Sequence, residues 1–258
     1  TTDVRMNMQR GAVVTYDSPV VALNSDQHIL LAWTEVHDEK YQLYTQTFDT
    51  TGNRLWTNDI RVDSDTSGNV WYPSVTGDSS GYATFAWSDY RASNGIFAQR
   101  INSTGSAVWS GEARVSFDTG TVYQWSPDVA VDTTHGHTVS VWTDRRSGRD
   151  DIYAQRFNAS GSRLWEADLQ VNSVINESRR YGANIEIAPD GDAIIVWHDG
   201  DIYAQRIDQH GNKHWNTDIR VNSAGTDESQ YNSAVALDQH GHAVIVWIDR
   251  RAGKTNVY

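Results

Sequence analysis

Residues 150–165 read DDIYAQRFNASGSRLW, and residues 200–215 repeat them as GDIYAQRIDQHGNKHW. Phrases of this kind, each ending in tryptophan, recur along the chain and close at Trp56, Trp109, Trp165 and Trp215. A second tryptophan series stands in the phrases LAWTE, FAWSD, SVWTD, IVWHD and IVWID and returns every 50 to 55 positions, at Trp33, Trp87, Trp142, Trp197 and Trp247. One module of about 54 residues is therefore written five times.

Each module reads as four β-strands. In the third copy the runs SPDVAVD, HTVSVWTD, DIYAQRFN and SRLWEADLQVNS are rich in Val, Ile, Trp and Tyr and alternate with a period near two. Turns with Asp or Asn and Gly join the first strand to the second and the third to the fourth. A longer polar stretch, such as DRRSGRD, joins the second strand to the third. The pattern predicts antiparallel meanders and essentially no helix.

A small sheet with two apolar faces has to bury both against neighbouring sheets, and repeated sheets of this kind are typical of a propeller. The sequence therefore predicts an all-β fold, a five-bladed β-propeller of four-stranded antiparallel blades, as a single domain over residues 1–258. The repeats cover approximately residues 3–58, 59–112, 113–167, 168–217 and 218–258.

The two ends of the chain bear on closure of the ring. The N-terminal phrase TTDVRMN matches the fourth-strand phrase NTDIRVN of residues 216–222. We therefore expect the N-terminal strand, residues 1–8, to complete the last blade and close the ring. The hairpin AQR…W of the fifth copy is missing between Tyr258 and Thr1. Two interpretations follow: a closed ring that functions without this hairpin, or a piece of a longer array.

Composition excludes several functional classes. The chain has no cysteine, so it has neither disulfides nor thiol chemistry. Its formal net charge of −12 argues against nucleic acid as a partner, because phosphate binding depends on Lys and Arg. No apolar run approaches the length of a membrane-spanning helix, so we expect no membrane insertion. The expected location is secreted or at the cell surface.

The longer loops predict where a ligand would bind. The connections between the second and third strands, and between successive modules, open on one face, which we call the long-loop face. An aromatic residue stands before each first strand, and an acid closes each second strand, followed in three copies by Arg two places on. The candidate ligand-binding residues are Tyr16, Trp71, Trp125, Tyr181, Tyr231, Asp89, Arg91, Asp144, Arg146, Asp249 and Arg251. Aromatic faces beside directional polar groups suit saccharides.

A structural interpretation of the same residues is also open. The aromatic residues can wedge between blades near the central channel. The acids can form buried pairs with the arginine of the third strand, Asp144 with Arg156, Asp89 with Arg100 and Asp199 with Arg206.

Signals for metals and catalysis are weak. Residues 63–68 resemble the front of a calcium loop, but Ser74 stands where the twelfth, acidic ligand belongs. His135 and His137, and likewise His240 and His242, lie in tight turns with no clustered third ligand nearby. A glycosidase needs two carboxylates facing one substrate. The acids that depart from the repeat near first strands are Asp17, Asp128 and Glu186. We expect no metal, no cofactor and no enzyme activity.

The phrases DIYAQRFNASGSRLW and DIYAQRIDQHGNKHW resemble a repeat of large secreted bacterial proteins of propeller type. The turn followed by Trp is similar to the Asp-box of sialidases, SxDxGxTW, although this chain has an extra residue between Asp49 and Gly52 and lacks the Thr before Trp56. In blade number and loop aromatics the chain is similar in architecture to five-bladed lectins of the tachylectin type. These resemblances imply a fold more than a function.

The sequence thus favours a non-catalytic recognition module that binds carbohydrate at several sites on the long-loop face, with a glycan or glycoprotein surface as partner. The alternative is a structural or protein-interaction propeller within a larger secreted or surface assembly. A glycoside hydrolase is the less favoured interpretation, and it would require Asp128 and Glu186 to share one deep central cleft.

Overall fold

The computed structural model describes residues 6–7, 16–24, 26–65, 67–91, 94–117, 122–173, 179–223, 230–250 and 255–258. This part of the chain holds nineteen strands in five antiparallel sheets. It contains no helix that could span a lipid bilayer. The prediction of an all-β, propeller-like fold built from repeated sheets is confirmed.

The sheets follow one another along the chain, and we call them blades 1 to 5. Four have four strands and the fifth has three among the described residues. Blade 1 contains β1 (Tyr16–Leu23), β2 (Ile29–His37), β3 (Lys40–Phe48) and β4 (Ile60–Arg61). Blade 2 contains β5 (Val70–Gly77), β6 (Ala83–Asp89), β7 (Gly95–Ile101) and β8 (Ala113–Arg114). Blade 3 contains β9 (Gln124–Asp132), β10 (His137–Asp144), β11 (Asp151–Phe157) and β12 (Leu169–Gln170).

Blade 4 contains β13 (Tyr181–Ile187), β14 (Ala193–His198), β15 (Ile202–Ile207) and β16 (Ile219–Arg220). Blade 5 contains β17 (Gln230–Leu237), β18 (Ala243–Asp249) and β19 (Asn256–Val257). The first strand of each blade packs against the first strand of the next, β1 on β5, β5 on β9, β9 on β13 and β13 on β17. We call these five the inner strands.

The two tryptophan series have separate structural roles. The second-strand residues Trp87, Trp142 and Trp197 are fully buried and form the centre of the packing between blades. The outer series connects each blade to the next. The indole N–H of Trp56 donates to the Ser103 carbonyl at 2.9 Å, and that of Trp109 donates to the Ala159 carbonyl at 2.8 Å. Outer tryptophans are therefore packing residues that also hydrogen-bond to a neighbouring hairpin.

The glutamine of the repeated phrase explains how each outer tryptophan is held. Gln155 is buried, and its side-chain oxygen accepts the backbone N–H of Trp165 at 3.3 Å. Gln46 accepts from Trp56 in the same way and donates to the carbonyl of Trp56 at 3.2 Å. A buried amide needs both its donor and its acceptor satisfied. Glutamine supplies both to the chain beyond the third strand, where the fourth strand has only two residues.

Each inner strand contains a bulge near its start. The register shifts there in all five blades. One residue adopts a positive φ at this point, between 49° and 58°, at Ser18, Tyr72, Ser126, Gly182 and Asn232. A bulge adds an unpaired residue and re-aims the side chains beside it. The bulges therefore set which inner-strand side chains face the neighbouring blade.

Blades 1 and 5 each expose an apolar face. Val139, three residues before the inner tryptophan of blade 3, is 0 % exposed, whereas the equivalent Val244 of blade 5 is 65 % exposed. On blade 1, Val21 is 65 % exposed although the equivalent Val75 of blade 2 is 8 % exposed. Within the described residues β1 and β17 do not pack together as the other inner strands do. The expected closure by residues 1–8 falls mostly outside the described residues.

Candidate active site in the central channel

A cavity of about 430 Å³ lies among the inner strands of blades 1 to 4. Its lining includes two acids, Asp128 of β9 and Glu186 of β13. Both side chains are partly buried. The cavity lies within the range of volumes typical of small-ligand sites. We call it the channel cavity.

Asp128 ties three blades together. Its Oδ1 accepts the hydroxyl of Ser74 in blade 2 at 2.6 Å and the backbone N–H of Val129 at 2.9 Å. Its Oδ2 accepts the backbone N–H of Ile185 in blade 4 at 3.0 Å. Burial raises the pKa of Asp128, and these donors act against that rise by favouring the carboxylate. The group is fixed in place by hydrogen bonds to three consecutive inner strands.

Glu186 lies in a different environment. Burial raises the pKa of Glu186, and the negative charge of Asp128 raises it further. Burial thus raises the pKa of both acids. They differ in that N–H and O–H donors oppose the rise at Asp128, whereas the charge of Asp128 adds to the rise at Glu186. Unlike environments around paired carboxyls are the arrangement that general acid catalysis uses.

These two acids depart from the pattern of the repeat. Strand pairing places Asp128 at the level of Val20, Ser74, Asn184 and Ala234 in the other blades. Two residues further on, Glu186 stands at the level of Ala22, Thr76, Ala130 and Ala236. Neither level holds another acid in any blade. The channel thus carries two carboxyls at positions where the repeat needs none for packing.

Asp17, the third acid singled out in the sequence, lies in β1 and is exposed. Its Oδ1 accepts the backbone N–H of Ser18, the bulge residue. Asp17 is not among the residues that line the channel cavity.

The aromatic series is in register in four blades and not in the first. Trp71, Trp125, Tyr181 and Tyr231 each pair with the residue that follows the inner tryptophan. In blade 1 that position belongs to Asp17, while Tyr16 pairs with Glu35, one residue further along. Tyr16 therefore stands one register position away from the place that the other four aromatic residues share.

The four aromatic rings in register are partly buried. Trp71 packs on Tyr41 with ring centroids 4.3 Å apart. The guanidinium of Arg145 lies 5.6 Å from the ring of Trp125. The hydroxyl of Tyr231 accepts a hydrogen bond from Arg250 at 3.1 Å. Ligand contact by these rings remains a prediction.

The acids that close the second strands are internal. Asp89, Asp144 and Asp249 are buried. Asp144 accepts the indole N–H of Trp142 at 2.9 Å and pairs with Arg146 at 2.5 Å. Arg146 also reaches Asp168 at 2.8 Å, before the fourth strand. This network explains why an acid stands two residues after the inner tryptophan.

Blade 2 repeats the network. Arg91 pairs with Asp89 and reaches Glu112 at 2.7 Å and Asp65 at 3.0 Å. Arg251 lies outside the described residues. Ligand contact by these acids and arginines remains a prediction that the structure does not test.

The expected pairs between second-strand acids and third-strand arginines are wrong. Antiparallel pairing puts Asp144 opposite Asp151 and Arg156 opposite Val139. The arginine therefore lies at the other end of the sheet, where it contacts Asp132 at 3.2 Å and the Gly191 carbonyl of the next blade at 3.0 Å. Arg100 pairs likewise with Asp78, and Arg206 pairs with Asp190 and Asp192 rather than with Asp199.

The calcium-like segment is a structural tie. Asp63 is buried, and it accepts the backbone N–H of Leu43 at 2.6 Å and pairs with Arg61 at 2.6 Å. Asn172 accepts the N–H of Ile152 at the equivalent place in blade 3. The position therefore serves the third strand, and Thr66 of the segment lies outside the described residues.

A second cavity, of about 350 Å³, lies between blades 2 and 3 and shares Thr133 with the channel cavity. Its charged groups are Asp78 and Arg100, which form an ion pair with each other. Because these two charges neutralise each other, the second cavity is a weaker candidate for an active site than the channel cavity.

No protein family and no curated protein sequence matches the chain. Solved structures do match its fold. A Dyadobacter fermentans protein of unknown function has a TM-score of 0.63 and 11 % identity over 95 % of this chain and 78 % of that one. An α-L-arabinofuranosidase of Fusarium graminearum with arabinobiose has a TM-score of 0.60 and 12 % identity over 95 % and 74 %. An endo-arabinase of Bacteroides thetaiotaomicron has a TM-score of 0.52 and 13 % identity over 93 % and 91 %.

These comparisons correct the functional expectation. The sequence favoured a non-catalytic, lectin-like module and no enzyme activity, whereas structures that share the fold include enzymes named for cleaving arabinosides. The sequence-based expectation gave most weight to the similarity of the five copies. The two acids that depart from the repeat near first strands, Asp128 and Glu186, line one cavity.

Proposed function

We propose that this protein is a glycoside hydrolase whose active site is the channel cavity. The observation that carries the proposal is the pair Asp128 and Glu186, which line one cavity from adjacent inner strands and interact electrostatically. Glycosidic bonds are cleaved by two carboxyl groups with different protonation states placed on either side of the bond. The channel supplies two such groups in unlike surroundings.

The surroundings assign the roles. Glu186 is the general acid that protonates the leaving oxygen, because burial and the nearby Asp128 both raise the pKa of Glu186 and no hydrogen bond from the described residues opposes that rise as it does at Asp128. Asp128 is the carboxylate partner, since three N–H and O–H donors hold its oxygens as hydrogen-bond acceptors. It acts either on water or directly on the sugar, depending on the separation of the two carboxyls in the substrate complex.

The fold neighbours suggest where to begin with substrates. Two of them are named as an α-L-arabinofuranosidase and an endo-arabinase. We therefore propose an arabinose-containing glycan as the first substrate class. A glycan-cleaving role also fits the expected secreted or cell-surface location.

Turnover measurements test the proposal. The wild-type protein is assayed on a panel of 4-nitrophenyl glycosides that includes the α-L-arabinofuranoside, and on arabinan. On arabinan, whose leaving group is a sugar, Glu186→Gln is expected to lower kcat at least about 100-fold, as loss of a general acid does. Asp128→Asn is expected to do the same, but it also disturbs the tie between three blades.

Glu166→Gln is the matched control, because Glu166 is an exposed acid outside the channel. It should leave turnover unchanged. A well-folded wild-type protein that cleaves nothing in the panel would overturn the proposal and favour the scaffold alternative. Equal activity of wild type and Glu186→Gln on arabinan would contradict the role given to Glu186.

A further inference from the structure

Two histidines and an aspartate cluster far from the channel acids in sequence, on the turn that joins β17 to β18. Asp238, His240 and His242 each offer one ligand atom, and these atoms lie within 4.8 Å of one another, so the expectation that this turn lacks a clustered third ligand is wrong. All three side chains are exposed. None of them lines the channel cavity, so the inference below does not rest on the proposed hydrolase.

The backbone of the turn holds this cluster together. Oδ1 of Asp238 accepts the backbone N–H of His240 at 2.8 Å and of His242 at 2.9 Å. Gly241, with φ of +80°, lets the chain reverse between the two histidines. Oδ2 stays on the side of the imidazoles, 2.8 Å from Nδ1 of His242 and 3.8 Å from Nδ1 of His240. The turn thus fixes the backbone and leaves one carboxylate oxygen directed toward two rings.

We propose that this turn binds a divalent transition-metal ion of the zinc, nickel or copper type. Imidazole nitrogen and carboxylate oxygen are the ligands that these ions accept, and a set of two histidines and one carboxylate leaves coordination positions for water. The ligand atoms need small side-chain rotations to reach metal-bonding distance, and exposed side chains make such rotations readily. The formal net charge of −12 raises the local concentration of cations.

Another turn of the same protein differs from this one in a single residue, the second histidine. Residues 208–212 read DQHGN, and residues 238–242 read DQHGH. Asp208 accepts the backbone N–H of His210 and of Asn212, each at 2.8 Å, so the two turns share their backbone hydrogen bonds. In the first turn Oδ2 of Asp208 accepts the amide of Asn212 instead of facing a second imidazole. The substitution His242→Asn therefore recreates a turn that this chain already folds.

A third turn also has two histidines and an aspartate, but an arginine pairs with that aspartate. In blade 3 Asp132 contacts His135 at 2.8 Å, and His135 stacks on His137. Oδ2 of Asp132 also pairs with the guanidinium of Arg156 at 3.2 Å. A fixed positive charge on the carboxylate disfavours a metal cation there. The site is therefore assigned to blade 5 and not to blade 3.

Isothermal titration calorimetry with ZnCl₂, and separately with NiCl₂, tests the assignment on the full chain. Wild type is expected to bind one ion of at least one of these metals per chain. His242→Asn is expected to bind the metal at least about tenfold more weakly. Mutating a residue that only orients a metal ligand already costs about that much affinity, and loss of the ligand itself should cost no less. Thermal unfolding of this variant without metal should match wild type, since the turn retains its backbone bonds.

Two control variants locate the ion. His210→Asn and His137→Asn remove one imidazole from each of the other turns and should leave the affinity unchanged. The proposal is overturned if wild type binds neither metal, if His242→Asn binds as tightly as wild type, or if His137→Asn alone abolishes binding.

Discussion

Equivalent valines in two blades give a matched test of how the blades pack. Val139 of β10 is 0 % exposed, and Val244 of β18 is 65 % exposed at the same place in the repeat. Val→Ala removes two methyl groups, worth about 0.8 kcal/mol each when buried. At Val139 an unfilled cavity adds to this, so the free energy of unfolding should fall by about 2–3 kcal/mol.

At Val244 only about a third of the side chain leaves water, so the same substitution should cost about 0.5 kcal/mol. The loss of strand propensity is common to both variants and cancels in the comparison. Urea unfolding followed by tryptophan fluorescence measures both values. Equal losses of 2 kcal/mol or more at the two positions would refute the reasoning, because they would mean that another surface covers Val244 in solution.

Two further predictions concern backbone strain and pH. In urea unfolding, Gly161→Ala should destabilise the protein more than Gly148→Ala. Both glycines have a positive φ near +85°, so backbone strain is common to the two variants. A Cβ at Gly161 would lie 2.9 Å from the ring of Trp109, whereas a Cβ at Gly148 would have no atom within 4 Å. Burial raises the pKa of Asp199 from 3.8 to about 6, so the folded state binds this proton more tightly and stability falls as pH rises from about 4 to about 6. Asp199→Asn should therefore gain up to about 3 kcal/mol over wild type at pH 8 and little at pH 3, and an equal effect at both pH values would contradict the cause.

Much of the fold could be predicted because the same pattern of residues recurs in each copy of the repeat. Alternating strands, Gly turns and the two tryptophan series each appear in several copies, and packing gives them the same role in each blade. The outer tryptophans, for example, make the same kind of contact to the next hairpin in blades 1, 2 and 3.

Register and closure could not be predicted in the same way. Strand pairing shows that Asp17 rather than Tyr16 occupies the aromatic position of blade 1, although the bulge lies at the same place in every blade. The partners of Arg156 depend on which residues of β10 lie opposite the end of β11, and the amino-acid sequence alone does not show this. The faces of blades 1 and 5 are exposed because, within the described residues, β1 and β17 do not pack together as the other inner strands do.

The channel acids were visible in the sequence but could not be weighed there. Asp128 and Glu186 stand 58 positions apart, and each is a single departure from its own repeat copy. Only the packing of β9 against β13 shows that both line one cavity and that the charge of Asp128 acts on Glu186. Their significance depends on how the inner strands of blades 3 and 4 pack together.

The central claim is that Glu186 protonates a leaving group in the channel. The most direct measurement compares kcat/KM of wild type and Glu186→Gln on two arabinofuranosides, one with a 2,4-dinitrophenyl leaving group and one with a sugar. An activated leaving group departs without protonation, so the variant should keep most activity on the first and lose at least about 100-fold on the second. Equal losses on both substrates, or no loss on either, would contradict the assignment of Glu186 as the general acid.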